Sequence, residues 1–290
     1  MNVSSLPGRR RVPHFDPIAS VRARRALVGF CLVLLCSILP SCGGEEPGRA
    51  RESVGVVRQA AETGTATWAL LTDQAAWTPR DGAALVWFGG KYWLLGGWDG
   101  GRGYVEWGGE RTTNEIWSSV DLVSWDLVAG HEEVPPSSGP GARWKRRHSH
   151  GVLVHEHEGR EYVYVIGGDH LAWDHNDFWF PPSNGYQSDV WRSSDMETWE
   201  QVATSNSTGF AGRMLAVAGS FDGALWVMGG QNGLRGETQS TFHNDVWKST
   251  DGGATWVQVL PDGPAGPTRW SPRGVINKAV AWRGRMWLVG

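Results

Sequence analysis

The apolar positions of this chain fall into short runs closed by glycine, not into the long stripes of amphipathic helices. Leu225 to Val259 sets the pattern. Its parts are an apolar strand ending at Gly229-Gly230, a polar loop, a second strand ending in Asp245-Val246-Trp247, a tight turn, and a third strand opened by Trp256. The same order occurs at Tyr92 to Gly97, Asn114 to Trp117 and Trp125, and again at Tyr162 to Gly168, Ser188 to Trp191 and Trp199. Short runs bounded by Gly and turn residues predict strands.

A unit of four short strands repeated in register predicts propeller blades. The expected fold is therefore all-β: a β-propeller of four-stranded antiparallel blades, about three complete and one partial. The 40 Gly and 19 Trp fit many short strands joined by tight turns. Thr67 to Leu71 matches the last strand of each later repeat, Trp125 to Val128, Trp199 to Val202 and Trp256 to Val259. Val275 to Trp282 and Arg285 to Val289 supply the inner two strands of a fourth unit. Two arrangements fit: a stretch of a ring with six or seven blades, incomplete at its C-terminal side, or a small ring of four. The second would leave an unpaired edge, which natural sheets avoid, and this favours the first.

Ahead of the repeats, Arg22, Arg24 and Arg25 precede the apolar run Ala26 to Leu39. That run is short for a membrane span and suited to the core of a signal peptide. Three segments follow: residues 1–42 as a signal peptide, 43–65 as a flexible tether without apolar periodicity, and 66–290 as the incomplete propeller. Residues 1–42 hold six Arg and one Asp of the chain's 27 basic and 30 acidic residues, so the remainder has 21 against 29 and a formal charge of −8. An acidic domain is a poor partner for a phosphate backbone, so nucleic acid is not expected. Cys31, Cys36 and Cys42 are the only cysteines. With Cys31 and Cys36 removed with the signal, neither a disulfide nor a thiolate zinc site is expected in the domain.

Leu39-Pro40-Ser41-Cys42-Gly43 resembles the lipobox of bacterial lipoproteins, in which the Cys becomes the acylated first residue; Pro40 departs from the small residue usual there. The resemblance implies lipidation at Cys42, contact with a membrane through a lipid anchor only, and a place in the outer membrane, periplasm or cell surface. A plainly cleaved secretory signal is the alternative. The repeats resemble kelch-type propellers, with a double Gly ending the second strand, an aromatic on the third and Trp on the fourth. Ser249-Thr250-Asp251-Gly252-Gly253-Ala254-Thr255-Trp256 resembles the Asp-box hairpin of sialidase-like propellers, with degenerate copies at Ser193 to Trp199 and Ser118 to Trp125. In those families the box lies away from the active face, so it speaks for fold more than for chemistry.

Candidate ligand-binding residues lie where each unit begins and in the loops after the double Gly. An aromatic stands three residues before an Arg in Trp77 and Arg80, Trp144 and Arg147, Phe210 and Arg213, and Trp270 and Arg273. Guanidinium groups suit carboxylates, and the aromatics suit stacking on a sugar. The competing role is a clamp on a neighbouring blade, a device that must recur in every unit. The richest loop, Asp169 to Ser188, adds Asp169, His170, Trp173 and Asp174. Its Asp and His residues match no metal-ligand spacing, so no metal and no cofactor are expected. His148, His150, His155 and His157 alternate along one hairpin and read as strand positions.

Catalytic residues are not assignable from the sequence. Galactose oxidase resembles this architecture but needs a cysteine that the domain lacks, and a sialidase-like site would need a Tyr-Glu pair that cannot be placed. Two expectations remain: a non-catalytic binding or interaction module for a glycan or a protein, or a carbohydrate-active enzyme, sialidase-like or similar to a sialic-acid epimerase, with part of its site in further blades.

Overall fold

The computed structural model describes residues 69–99, 112–132, 135–170, 185–232, 241–274 and 279–289. The chain divides into two compact units, Met1–Thr65 and Ala66–Gly290, and every described residue belongs to the second. The signal segment, Cys42 and the tether lie outside the described residues.

Strands are the only regular elements among the described residues. The first sheet contains β1 (Ala84–Phe88), β2 (Lys91–Trp98), β3 (Thr112–Ser119) and β4 (Asp126–Ala129). The second contains β5 (Gly151–His157), β6 (Arg160–Asp169), β7 (Tyr186–Ser193) and β8 (Glu200–Ala203), and the third β9 (Val217–Phe221), β10 (Ala224–Asn232), β11 (Thr241–Ser249) and β12 (Val257–Leu260). A two-stranded sheet of β13 (Val280–Trp282) and β14 (Arg285–Trp287) follows. Within each four-stranded sheet the strands pair antiparallel in chain order, a blade-like arrangement consistent with a propeller-like fold. The strand expected at Thr67 to Leu71 is not formed in its described part. Leu70 and Leu71 are exposed and outside any strand, for a strand without a ladder gains little.

Two-residue turns close the first hairpin of each sheet, and both central residues take positive φ: Gly89-Gly90, Glu158-Gly159, Asp222-Gly223 and Arg283-Gly284. This handedness matches the strand twist. Across the first, third and fourth of these turns an indole N–H donates to the carbonyl five residues earlier: Trp93 to Phe88, Trp226 to Phe221 and Trp287 to Trp282.

The third-to-fourth strand turns are held by their own side chains. Asp195 Oδ1 accepts from the Glu197 and Thr198 amides, and Asp195 Oδ2 from the Thr198 hydroxyl. Asp121 and Asp251 occupy the same place in the first and third sheets. The residue after each Asp is left-handed, and it is Gly only in the third copy: Leu122 φ 64°, Met196 φ 68°, Gly252 φ 69°.

Alternation along the strands gives every sheet two apolar faces, and successive sheets stack one face on the other. The forward face of the first sheet, with Val86, Trp93, Leu95 and Ile116, packs on the rear face of the second, with Val152, Val163, Val165 and Trp191. Leu153, Tyr164, Ile166 and Val190 on the second sheet's forward face then meet Ala218, Leu225 and Val227 of the third. Val217, Met228 and Val246 in turn meet Met286 and Leu288. The innermost strands are the neighbours, β1 beside β5, β5 beside β9 and β9 beside β13.

Gly151 shows how close that approach is, because a Cβ there would lie 2.5 Å from Ala218 Cβ. A glycine two positions further along the first strand of the third sheet, Gly219, is less crowded by its next sheet, with 3.4 Å to Ala279 Cβ and Met286 Sδ. Gly151→Ala should therefore destabilise the protein by about 1–3 kcal/mol in urea unfolding, with Gly219→Ala near neutral. A second expectation concerns acid. Burial works to raise Asp195, yet the hydrogen bonds from Thr198, Glu197 and Ser193 outweigh it and hold its carboxyl down to about 2. A depressed folded-state value makes this contribution complete above the unfolded value of about 3.9 and lost as pH falls through about 2. The stability difference between wild type and Asp195→Ala should be full at pH 7 and shrink between those two values, as read from melting temperature against pH.

Candidate functional site

Each sheet begins with a lead-in whose arginine goes inward. The Arg147 side chain is completely buried, and its two terminal nitrogens donate to the two carboxylate oxygens of Asp189 at 2.7 and 2.9 Å. It also donates to the Gly167 carbonyl (2.8 Å) and, from Nε, to the Lys145 carbonyl (3.0 Å). Arg213 repeats the set on Asp245 (2.6 and 3.0 Å), Gly229 and Ala211. Arg80 does so with one bond to Glu115 (2.8 Å), plus Gly96 and Thr78. The same carboxylates accept the indole N–H two residues on, at Trp117, Trp191 and Trp247. A bidentate pair satisfied on every side is the form in which a buried charge is tolerated.

The double glycine explains why this clamp is needed. The ladder to the third strand slips between Leu95 and Gly97, Ile166 and Gly168, and Met228 and Gly230, each a β-bulge at left-handed glycines. The first glycine's carbonyl turns to the arginine of its own sheet. The second glycine's N–H donates to the backbone carbonyl of the next lead-in arginine: Gly97 to Arg147, Gly168 to Arg213, Gly230 to Arg273. Those arginines return the bond through their own N–H to Thr113, Gln187 and His243. Thus the arginine backbone joins the preceding sheet and its side chain locks its own. A Cβ on Gly96 would lie 2.8 Å from the Arg147 carbonyl oxygen, which is why no other residue serves.

The residues nominated from the sequence can now be placed. Arg80, Arg147 and Arg213 are clamps whose forks are engaged within the protein. They clamp their own sheet, whereas a clamp on the neighbouring blade was the expectation; only the backbone reaches the neighbour. Arg273 makes the same local bonds, from Nε to the Ser271 carbonyl and from Nη2 to its hydroxyl. Trp144 is fully buried, edge-on to Trp199, and Trp77 stands edge-on to Trp125. Trp270 packs beside Val217, Met228 and Val246. These aromatics fill the wedge between sheets. Asp169 is buried, with its carboxylate 3.6 Å from His148 Nε2. His170 is half-buried, and its Nδ1 lies 2.8 Å from the Gly185 carbonyl. Burial lowers the His170 imidazole pKa against the pull of Gly185 and Asp169. Trp173 and Asp174 lie outside the described residues.

What the sequence reading missed is the carboxylate two positions before each third-strand Trp: Glu115, Asp189 and Asp245. Their recurrence was a usable signal. His243, Asp245 and Asp262 also converge, with one ligand atom of each within 4.8 Å of the others. Chemistry argues for an ion-pair network there. Asp245 is held by Arg213 and Trp247, while Asp262 accepts from His243 Nδ1 (2.8 Å) and from the Asn244 and Asp245 amides. Burial works to raise Asp262, but those bonds and the charges of His243 and Arg213 hold its carboxyl below the usual range. A cation would have to displace these partners beside a guanidinium.

A row of backbone bonds joins the starts of the first strands, from the Ser149 amide to the Gly82 carbonyl and from the Leu215 amide to the Ser149 carbonyl. Gly82, Ser149 and Leu215 are all left-handed there. At the same end of each four-stranded sheet the second strand finishes and the third begins. Described groups exposed at this end include Asp81, Lys145 and Phe242.

No protein-family model matches the chain, and no curated protein matches it.

If the clamp holds the sheet, then Arg213→Met strands the Asp245 charge and should destabilise the protein by about 3–5 kcal/mol, and Arg213→Met with Asp245→Leu should recover much of that loss. Urea unfolding of the two variants checks the order; equal losses would contradict it.

Proposed function

We propose that this chain is an exported kelch-like β-propeller, tethered to a membrane through an acylated Cys42, that serves as a non-catalytic binding or interaction module for a glycan or a protein. Its sheets are the blades, set around a common axis, and the loops after each double glycine form the recognition face. The observation that carries this reading is the contrast between base and rim. The arginine clamp and glycine bulge recur in each four-stranded sheet with the same partners, while the loop sequences above them, such as DHLAWDHNDFWFPPSNGYQS and QNGLRGETQSTFH, share neither length nor composition. A repeated frame beneath unlike loops is the usual division between scaffold and site. The second observation in its favour is that the recurrent arginines are consumed in the frame, which leaves specificity to the loops.

The test uses the exported protein on a glycan array and against candidate surface proteins. Lys145→Ala with Phe242→Ala, both exposed at the rim, should lower binding by about tenfold while leaving the melting temperature in place. Unchanged binding would remove this face from the proposal. For the anchor, labelling with radioactive palmitate should mark wild type and spare Cys42→Ala; label on both, or on neither, would overturn it.

A further inference from the structure

We infer that the junction between the second and third sheets is an acid-sensitive joint, closed while His155 is neutral and loosened when it and the neighbouring His157 take up protons. The inference concerns the frame and is independent of what the loops bind.

Alternation along β5 turns Leu153, His155 and His157 toward the third sheet. His155 is 5% exposed, and its Nδ1 lies 2.8 Å from the Ser220 hydroxyl oxygen on β9. The His157 ring rests on the Asp-held turn of the third sheet, where a Cβ on Gly252 would come within 2.6 Å of its Cδ2. The same places at the junction of the first and second sheets are apolar. The residues opposite the position before each double glycine are Ala84, Gly151 and Val217. Counted from these, Phe88 corresponds to His155 and Val154 to Ser220. Phe88 and Val154 both pack into the core between the first two sheets. A hydrocarbon pair thus closes one junction where a hydrogen-bonded imidazole closes the next, so packing alone does not ask for histidine.

Protonation changes what this contact can hold. A neutral imidazole has one donor and one acceptor, and a hydroxyl can partner either. An imidazolium brings a charge between the sheets, where desolvation opposes it. Burial, and then the charge of His157, holds the His155 pKa below its ordinary value. The two residues share one face of the strand about 7 Å apart, so two protons would also repel. Little is at hand to offset them. Tyr164 of β6 lies 5.9 Å from the His155 ring, centroid to centroid. Beside it Tyr162 carries two cations over its ring, Arg192 of β7 at 4.7 Å and Arg160 at 5.6 Å, and Arg192 in turn engages Glu200. Glu156 and Glu161 pair across the strands on the opposite face. Glu158 approaches His157 only at 3.9 Å, with its own side chain 85% exposed. From the third sheet, Asp251 is bonded to Ser249 and Thr255 within its turn, and Asp222 stands exposed on the turn after β9.

A folded-state value below the unfolded one makes the contribution complete above the ordinary imidazole value of 6.5 and lost as pH falls through the lower folded value. Loosening this junction would part the frame beneath the second sheet's loop from that beneath the third's.

The experiment is urea unfolding of the full chain from about pH 7.5 to about pH 5, with wild type beside His155→Phe with Ser220→Val, which installs the pair of the first junction. The ratio of the wild-type folding constant to that of the double variant should fall by about threefold or more over this range. His155→Gln keeps a neutral hydrogen-bonding side chain against Ser220 and should flatten the profile in the same way. A wild-type profile parallel to that of either variant would overturn the inference. A second reading needs no substitution: in an NMR titration of wild type, the His155 ring should take its proton below pH 6.5 as β5 and β9 lose amide protection. A ring that titrates at or above that value, or that titrates with protection unchanged, would overturn it equally.

Discussion

A buried guanidinium has no way back to water, and the rest of this structure is arranged around that constraint. Arg147 and Arg213 sit with side chains essentially closed to solvent, and so does Arg80. Their donors must be met by acceptors that the fold itself brings. The carboxylate supplies charge and two of the bonds at Arg147 and Arg213, one at Arg80. The bulged glycine supplies a carbonyl that the strand ladder has released, and the lead-in supplies another from two residues upstream. Remove the bulge and the carbonyl returns to the ladder; remove the arginine and that carbonyl is buried alone. The Gly-Gly pair and the Arg thus explain each other, which is why both recur together.

The second consequence concerns how the sheets hold one another. Apolar stacking between faces is large but says little about angle or register. The backbone pair between the second glycine and the next lead-in arginine fixes both, because its N–H and carbonyl have direction. The indoles then fill the space between adjacent sheets. Trp144 and Trp199 illustrate this: each is buried, their rings meet edge to face at 6.1 Å, and neither indole nitrogen has a hydrogen-bond partner. Volume, more than hydrogen bonding, is what those two positions ask of Trp.

Much of this frame was legible in the sequence, and the reason is local. Strand ends, glycine bulges and Asp-held turns are written within a few residues of one another, so they survive loops of any length. Ser193, Asp195 and Thr198 bond within five positions, and the turn could be read directly. The arginine clamp could not. Its carboxylate lies 35, 42 and 32 residues downstream in the three sheets, a spacing scattered by the loops between second and third strands. The arginines were visible as a set, but with the partners hidden their role stayed open between ligand and clamp. Trp144 posed the same problem, since an aromatic beside a cation reads alike in a binding site and in a wedge. The strand expected at Thr67 to Leu71 is not formed over its described part, Ala69 to Leu71, for a related reason: its pattern is local, and a strand's partner is not.

Because one arginine serves two sheets at once, with its backbone in the earlier and its side chain in the later, the usual picture of stacked repeats needs an adjustment. In a chain of units joined only by surface contact, internal stability and neighbour coupling are separate quantities. Here they share atoms. Loosening the third sheet lets Arg213 swing, which disturbs its amide bond to Gln187 and the carbonyl it offers Gly168 in the second sheet. Loss of order in the second sheet frees the same lead-in and weakens the grip on Asp245. The sheets should consequently open together, and a rigid base of that kind is what unlike loops need if they are to hold fixed positions relative to one another.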